Sequence, residues 1–187
     1  MGARSSHKGS AYERKVCVGL SRWISNLTRD DIFWRSAMSG GRATLAQRKG
    51  RGSRFEGSTG DITAVDPMGE PLTATFSIEV KAYKQFEIDR PAFDRKGELL
   101  GLWKAHLPKA AQAKRLPMLI GKQDNMGEVL LVTEEGGNII EACSGPRPLV
   151  PTLHWPRHDV WIYLFRDFLA NVDPALFVER YGSQTRS

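Results

Sequence analysis

The stretch TFSIEVKAY, residues 75–83, decides the fold, because its apolar and polar residues alternate without interruption. Successive side chains of a β-strand point to opposite faces of the sheet, so this alternation predicts a strand with one apolar and one polar face. The apolar face holds Phe76, Ile78, Val80 and Ala82. The polar face holds Ser77, Glu79, Lys81 and Tyr83. A carboxylate and an ammonium group therefore lie side by side on one face of this strand.

Two further strands are predicted before this stretch. Residues 61–65, DITAV, form a strand that opens with Asp61 directly after Gly60, and the following Asp66-Pro-Met-Gly69 is a turn signal. Ile32-Phe33-Trp34 predicts a short buried strand that leads into a turn at 39–41. If the strands of Asp61 and Glu79 are neighbours in the sheet, their carboxylates come close together.

A helix is predicted at the N-terminal end of the domain. It starts at Ser10, because Ser10-Ala-Tyr-Glu13 has the pattern of a capping box. Apolar residues then recur at helical spacing, namely Val16, Cys17, Leu20, Trp23, Ile24 and Leu27. Glu13 lies on this apolar stripe, one turn before Cys17, so the helix is expected to direct it inward.

Helical and strand patterns continue after residue 83. Asp89-Arg-Pro91 begins a helical region that reaches Leu107, and Pro108 is expected to kink or restart it. Met118–Gly121 and Val129–Thr133 are two more predicted strands. Together these elements predict an α/β fold, in which helices flank a central mixed sheet of about four or five strands.

The C-terminal part is predicted to be less regular. Residues 136–157 are rich in proline and glycine and are expected to be mostly irregular. The apolar residues between Val160 and Val172 fit one helical face, with a strand at Val160–Phe165 as the alternative. Asp173-Pro174 then caps a short helix that ends near Gly182. Four tryptophans are assigned to the core rather than to base stacking, namely Trp34, Trp103, Trp155 and Trp161.

The charge of the chain is uneven. Residues 1–60 hold 12 Lys and Arg against 4 Asp and Glu, whereas the remainder is slightly acidic and the whole chain has a net charge of +6. A basic third on a near-neutral body indicates a polyanionic partner such as nucleic acid, with a merely solvated basic surface as the alternative. Residues 42–60 contribute five bases and one acid in a Gly- and Ser-rich loop, which is either functional or disordered.

Composition also excludes several classes of protein. The apolar runs are too short to span a bilayer, and no apolar signal segment follows the first residues, so a cytoplasmic protein without membrane contact is expected. Cys17 and Cys143 do not make a disulfide framework and are predicted to be buried thiols. No phosphate-binding loop or dinucleotide fingerprint is present.

The acidic residues and the lysine suit a metal-dependent hydrolase. Mg²⁺ prefers oxygen ligands, commonly one or two carboxylates with water and substrate phosphate, and Asp61 and Glu79 offer such oxygens. Lys81 can hold or help deprotonate a water, or offset charge on a phosphate. Purely structural interpretations stay open: Glu13 in a capping box, Asp61 as a turn acid, and Glu79 with Lys81 on a solvated strand face.

In this order Glu13-Arg14, Ser39-Gly40-Gly41, Gly60-Asp61 and Glu79-Val80-Lys81 resemble the PD-(D/E)XK nuclease superfamily. The closer likeness is to its archaeal and phage-encoded Holliday junction resolvases, and it covers about residues 9–122. Gly60 stands where the family name has proline. The long segment 42–60 also departs from these resolvases, which have a short link there.

The resemblance implies a restriction-endonuclease-like core and a role for each matching residue. Asp61 and Glu79 would bind Mg²⁺ or Mn²⁺ with the carbonyl of Val80, and Glu13 would complete the acidic cluster directly or through water. Lys81 would be the catalytic lysine, and Ser39 would lie near the scissile phosphate. Phosphate contacts are expected from seven basic residues, two of which the resemblance implies and five of which lie in the basic loop: Arg14, Arg35, Arg42, Arg48, Lys49, Arg51 and Arg54.

The expected organisation is a disordered basic N-terminus (1–9), a nuclease core (10–135) with a basic insertion (42–60), and a C-terminal extension (136–187) that packs on the core. The expected activity is Mg²⁺-dependent hydrolysis of DNA phosphodiesters, as a homodimeric resolvase of four-way junctions. The alternatives are a restriction, repair or recombination nuclease on duplex, flap or single-stranded DNA, and a non-catalytic DNA-binding protein of the same fold.

Overall fold

A computed structural model of the protein describes residues 3–36, 60–83, 97–124 and 127–182, with only the backbone for residues 3–8. Several predicted features lie outside these ranges. They are Ser39, the basic segment 42–60 apart from Gly60, and the predicted helix start at 89–91. The described ranges contain every strand of the predicted sheet.

The helices and strands occur in a fixed order along the chain. They are α1 (Ala3–Ile24), β1 (Phe33–Arg35), β2 (Ile62–Ala64), a 3-10 turn (Pro67–Gly69), α2 (Glu70–Thr75), β3 (Phe76–Tyr83), α3 (Glu98–Gln112), β4 (Leu116–Gln123), β5 (Glu128–Val132), α4 (Glu134–Ala142), β6 (Leu153–Trp155), a second 3-10 turn (Pro156–His158), β7 (Val160–Leu164), α5 (Phe165–Asn171) and α6 (Pro174–Tyr181).

Five strands form a mixed sheet in the order β3-β4-β5-β7-β6. The pair β3–β4 is parallel, with α3 as its crossover, and the other neighbours are antiparallel. The strands β1 and β2 form a separate antiparallel ribbon, and a parallel bridge from Gly60 to Ile78 attaches this ribbon to the free edge of β3. The predicted α/β fold with a helix-flanked mixed sheet is confirmed.

Apolar packing covers both faces of the sheet. On one face, α1, α2, α5 and α6 pack against Ile78, Val80, Ile120 and Leu130. On the other face, α3 packs through Leu99, Leu100 and Trp103 against Leu119, Leu131 and Ile162. Burial of this apolar surface is the main force that holds the layers together. Among the described residues, no helix is both long and apolar enough to cross a membrane.

The first helix differs from its prediction. It begins at Ala3, whereas the predicted start was Ser10, so Ser10 and Glu13 lie inside the helix and do not form a capping box. The apolar stripe after Glu13 is confirmed, since Val16, Leu20 and Trp23 are buried. Packing of this stripe on the sheet stabilises the helix along its length.

Two predictions for the C-terminal part are wrong. Residues 160–164 are strand β7 rather than helix, because they pair with β5 and β6, so the alternative interpretation is correct. Residues 134–142 are helix α4 although 136–157 were expected to be mostly irregular. Glycines in this segment argued against a helix, but they allow the helix to pack closely on the sheet. A Cβ on Gly137 would lie 2.7 Å from Cε3 of Trp161.

One smaller prediction is wrong and another is contradicted only in part. Trp34 was assigned to the core but is 58% exposed on the β1–β2 ribbon, whereas Trp103 and Trp155 are buried as predicted. Helix α3 continues through Pro108 as one element, so it does not restart there, and the alternative of a kink at Pro108 stays a prediction. Strands β6 and β7, from the part of the chain after residue 136, extend the central sheet, and the division of the chain at 135–136 stays a prediction.

Candidate active site

The candidate site lies where the β1–β2 ribbon separates from β3. The backbone N–H of Asp61 donates a hydrogen bond of 2.7 Å to the carbonyl of Ile78, and β2 then pairs with β1 instead of continuing beside β3. Gly60 has φ of +103°, and a Cβ there would lie 2.4 Å from the Ile78 carbonyl oxygen. Proline, with φ near −65°, cannot adopt this conformation, which explains why glycine precedes Asp61.

The Asp61 carboxylate points across this opening to β3. Its Oδ2 accepts hydrogen bonds from the backbone N–H of Val80 at 2.9 Å and from Lys81 Nζ at 3.1 Å. Asp61 is only 8% exposed. A buried carboxylate is costly unless hydrogen bonds and an opposite charge compensate it, and these two contacts supply both. Asp61 is therefore a functional-site candidate rather than a turn acid.

Glu79 and Lys81 meet on the polar face of β3, as the alternation predicted. Lys81 Nζ lies 2.6 Å from Glu79 Oε1, so this single ammonium group contacts both Glu79 and Asp61. The Glu79 side chain is 12% exposed and that of Lys81 is 25% exposed. The two residues are therefore not on a freely solvated strand face, and the cluster Asp61–Lys81–Glu79 is a compact, partly buried group.

The charges in this cluster support one another. Burial opposes the charged form of Lys81, but the Asp61 and Glu79 carboxylates outweigh it and raise the pKa of Lys81. Burial likewise opposes ionised Glu79, but the charge and hydrogen bond of Lys81, with a smaller contribution from the charge of Lys109, outweigh it and lower the pKa of Glu79. The cluster pairs two carboxylates with one ammonium group, and the resulting negative charge suits a metal ion.

Glu13 is paired with a base rather than with the other acids. Its carboxylate accepts a hydrogen bond from Nε of Arg35, which joins α1 to β1. The next residue, Ser36, donates its backbone N–H to the carbonyl of Asp61 at 2.8 Å, so this ion pair lies along the chain segment that adjoins the site. Arg35 and Glu13 thereby connect α1 to β1, which pairs with the strand β2 that follows Asp61.

Two residues of α3 complete one wall of the site and were not among the predicted residues. His106 is 1% exposed, and its Nδ1 lies 3.8 Å from Glu79 Oε2. Lys109, whose side chain is 59% exposed, places Nζ 3.9 Å from Glu79 Oε1. The available signal was the apolar stripe of α3, in which His106 is the one titratable member of the buried set Leu99, Leu100, Trp103, His106 and Ala110.

The structure brings only some of the predicted DNA contacts near the site. Arg35 adjoins the site through Glu13, and Arg14 lies one position further along α1 and is exposed. Ser39 and the five predicted basic residues of the insertion, namely Arg42, Arg48, Lys49, Arg51 and Arg54, lie outside the described residues.

The donor set fits a hard divalent cation. In the described part of the chain no group of three or more His, Cys, Asp and Glu is arranged to hold a metal together. The protein ligands available there are the two carboxylates and the carbonyl of Val80. Alternate peptide groups of a strand face the same neighbour, so this carbonyl faces the same opening as the Ile78 carbonyl that Asp61 contacts. Two carboxylates with further oxygen ligands are typical of Mg²⁺ sites that also bind substrate phosphate.

Comparison with known proteins identifies the family. A family model described as "Phage putative PDDEXK endonuclease" matches residues 4–152, which is most of the chain and includes Glu13, Asp61, Glu79 and Lys81. Comparisons with curated proteins and with solved structures found no match. Because the family model covers well over half of the sequence, the chain belongs to this phage endonuclease family of the PD-(D/E)XK nucleases.

Proposed function

We propose that the protein is an endonuclease that hydrolyses DNA phosphodiester bonds with Mg²⁺ or Mn²⁺. The observation that carries this proposal is the cluster Asp61–Lys81–Glu79, in which one ammonium group contacts two buried carboxylates at the opening between β2 and β3. Membership of a PD-(D/E)XK endonuclease family supports the same activity. Burial of two carboxylates costs free energy of folding, and buried ion pairs seldom give a net stabilisation in return. A catalytic role explains these buried charges more readily than a stabilising role does.

In this proposal Asp61, Glu79 and the carbonyl of Val80 hold the metal ion. The ion, when bound, would acidify water and stabilise the negative charge that develops on the phosphate. Lys81 contributes its positive charge near the attacked phosphate, because the two carboxylates raise its pKa and keep it protonated. Glu13 is proposed to act through Arg35 or a water molecule, and Ser39 is proposed to act near the scissile phosphate.

DNA is proposed to bind mainly through its phosphates. Arg14 and Arg35 lie on the elements that adjoin the site, and Lys109 adds an exposed ammonium group beside Glu79. The basic insertion 42–60 is the second proposed contact region, so reversal of charge at Arg48, Lys49 and Arg51 is expected to weaken binding to every DNA sequence. The salt dependence of binding should become less steep in that variant, since fewer counterions are released.

The finer proposal is that the substrate is branched DNA. A four-way junction needs two symmetric cuts, and a homodimer with two sites would supply them. Action inside the cell, on phage or host DNA, follows from such a substrate. A core at 10–135 with an extension at 136–187 remains part of this proposal.

A cleavage assay tests the proposal. A labelled four-way junction and the matching linear duplex are incubated with Mg²⁺ or Mn²⁺ and either the wild-type protein or Glu79→Ala. Paired cuts in the junction alone, lost in the variant, are the expected result. Cutting of duplex or flaps would support nuclease activity but reject the proposal of a resolvase. Absence of any cutting with either ion would favour a non-catalytic DNA-binding protein.

A binding assay with the same DNA separates catalysis from binding. Asp61→Ala, Glu79→Ala and Lys81→Ala are expected to abolish cleavage while junction or duplex binding stays close to the wild type. Loss of folding together with binding in all three variants would instead indicate a structural role for the cluster.

A further inference from the structure

The β1–β2 ribbon carries an exposed aromatic side chain to which the proposed function gives no role. Trp34 is 58% exposed, and it is the one aromatic ring among the exposed large apolar side chains of the described residues. An indole ring has a large apolar area, so its burial against a ligand gains more free energy than that of most side chains. Exposure alone does not identify a ligand, but the place of the ring in the fold indicates one.

Trp34 faces the same side of the molecule as the candidate site. Its neighbours Phe33 and Arg35 face α1, since Phe33 packs in the core that α1 covers and Arg35 pairs with Glu13 of that helix. Successive side chains of a strand point to opposite faces, so Trp34 points away from α1. The polar face of β3 also points away from α1, because its apolar face packs in the same core.

The pairing of the ribbon brings Trp34 close to Asp61. Trp34 lies opposite Thr63 in the antiparallel ladder, and the hydrogen bond of 2.8 Å from the Ser36 N–H to the Asp61 carbonyl continues this ladder beyond β2. Asp61 is thus a diagonal neighbour of Trp34, and such neighbours lie about 7–8 Å apart. Since one strand of duplex DNA rises about 3.4 Å per nucleotide, the ring lies within about two nucleotides of a phosphate held at Asp61.

We propose that Trp34 stacks on an unpaired base of the bound strand beside the scissile phosphate, so that the protein prefers DNA with unpaired nucleotides next to the cut. Every base has a flat face that can stack on an aromatic ring, and a base in a single strand, flap or gap is free to do so. In a duplex these faces are covered by the neighbouring base pairs. This inference rests on the proposed nuclease function and names its substrate class.

A nucleic-acid strand fits this surface better than a second protein chain does. The ring shares its side of the molecule with the carboxylates that would hold the metal ion and with the ammonium group of Lys81. A strand whose phosphate reaches these groups therefore passes the ring, whereas a protein bound over the ring would obstruct the site. A subunit contact at Trp34 is the alternative that the experiment has to separate.

Two substitutions and a control distinguish stacking from packing. Trp34→Thr removes the ring but keeps a residue that favours strands, and Trp34→Phe keeps an aromatic face. Val150→Thr is the matched control, because Val150 is 69% exposed and precedes β6, at the opposite edge of the sheet from β3. All three variants should unfold close to the wild-type temperature, since the substituted side chains are mostly exposed.

The experiment measures the Kd of the full chain for fluorescein-labelled DNA by anisotropy, with a chelator present to prevent cleavage. The two probes are a linear duplex and the same duplex with a short single-stranded gap. Trp34→Thr should bind the gapped DNA about 10-fold or more weakly and the duplex as the wild type does, because one base stacked on an aromatic ring contributes about that factor. Trp34→Phe should recover most of the loss, and Val150→Thr should show none.

Three results would overturn the proposal. They are a wild-type Kd of Trp34→Thr for gapped DNA, an equal loss of affinity for both probes, and a wild-type dimer that sediments as a monomer in Trp34→Thr. If Trp34→Thr does not fold, wild-type protein bound to gapped DNA with 5-iodouracil in the gap is irradiated instead. A crosslink at Trp34 supports the proposal, and its absence there overturns it.

Cleavage of the gapped DNA with Mg²⁺ is measured in parallel and tests the proposed function separately. If the wild type binds gapped DNA through Trp34 but cuts no DNA, the nuclease is rejected and the base contact is retained. If it cuts DNA while Trp34→Thr binds both probes as the wild type does, the nuclease is retained and the base contact is rejected. A wild type that binds neither probe would reject both.

Discussion

The two faces of β3 are both covered, but by different chemistry. On one face Phe76, Ile78 and Val80 are buried in an apolar core beneath α1. On the other face Ser77 is fully buried and Glu79 and Lys81 are mostly buried, and their partners are Asp61 and His106. Both faces exclude most water, yet only the second confines charges.

The difference shows how one strand serves both stability and chemistry. The apolar face gains free energy from each buried side chain, about 1.5–3 kcal/mol for a large one. The polar face must instead compensate desolvation with hydrogen bonds and opposite charges, and it retains groups that can bind an ion and a phosphate. Substitutions on the two faces are therefore expected to have separate consequences.

The largest expected effect comes from neighbouring residues on opposite faces. Glu79→Ala should lower the cleavage rate by on the order of 1,000-fold, because loss of a metal ligand removes several kcal/mol of transition-state stabilisation. Ile78→Ala should lower the free energy of unfolding by about 2–5 kcal/mol while the folded fraction retains activity. Urea unfolding and single-turnover cleavage measure the two effects. A fully stable Ile78→Ala, or an active Glu79→Ala, would contradict the division between the faces.

The next effect concerns the junction of β2 with β3. Gly60→Ala should destabilise the protein by about 2 kcal/mol or more, because a left-handed residue gains a Cβ that clashes with the Ile78 carbonyl. Cleavage by the folded protein should also fall, since Asp61 is displaced. Gly101→Ala is the matched control: its Cβ would meet no atom within 4 Å on α3, so it should stabilise by about 0.5–1 kcal/mol. Equal effects of the two substitutions on the unfolding temperature would contradict the requirement for glycine at position 60.

A smaller effect is expected from acid. Since the folded-state pKa of Glu79 lies below its ordinary value of 4.5, its ionisation stabilises the protein above that pH. This contribution should be lost as the pH falls below 4.5 and through the lowered pKa. In Glu79→Gln the metal-free protein should show a shallower decline of unfolding free energy between pH 5 and pH 3, measured by urea titration. If the unfolding free energy declines equally steeply in Glu79→Gln and the wild type, Glu79 does not form a stabilising ion pair with Lys81 in the folded protein.

The smallest expected effect concerns the reactivity of the two buried cysteine thiols. Both cysteines are free and buried, as predicted, and burial followed by the charge of Glu13 raises the pKa of Cys17 to about 12. Neither thiol should react with a thiol reagent at pH 8 until the protein is unfolded, because the thiolate is the reactive form. Reaction of one thiol in the native protein would reveal an opening of the α1 core.

The properties that depend on neighbours along the chain were predictable. Alternation over 75–83 predicted which side chains share a face, and the apolar stripe of α1 predicted its buried side, because strand and helix periodicities are local. The strands β4 and β5 were also predicted, as two short segments separated by a turn. The motif residues Asp61, Glu79 and Lys81 were also identifiable, and the structure brings them together.

The properties that depend on packing were not predictable from local pattern. Helix α4 contains two adjacent glycines that disfavour a helix by themselves. It forms because Gly137 lets it approach Trp161 and Tyr163, and Gly136 lets it approach Val132 and Phe76. Residues 160–164 fit a helical face, but ladder bonds to β5 and β6 make them a strand. The exposure of Trp34 likewise follows from the position of its ribbon beside the sheet.

The sequence by itself thus determined the α/β class, the polar face of β3 and the identities of the acidic residues and lysine, because each follows from side-chain type and local spacing. Only the tertiary structure decided that Gly60 turns Asp61 towards Val80 and that Glu13 pairs with Arg35. It also placed His106 against Glu79. These contacts join residues far apart in the chain, so their distances depend on how whole elements pack and not on any local pattern.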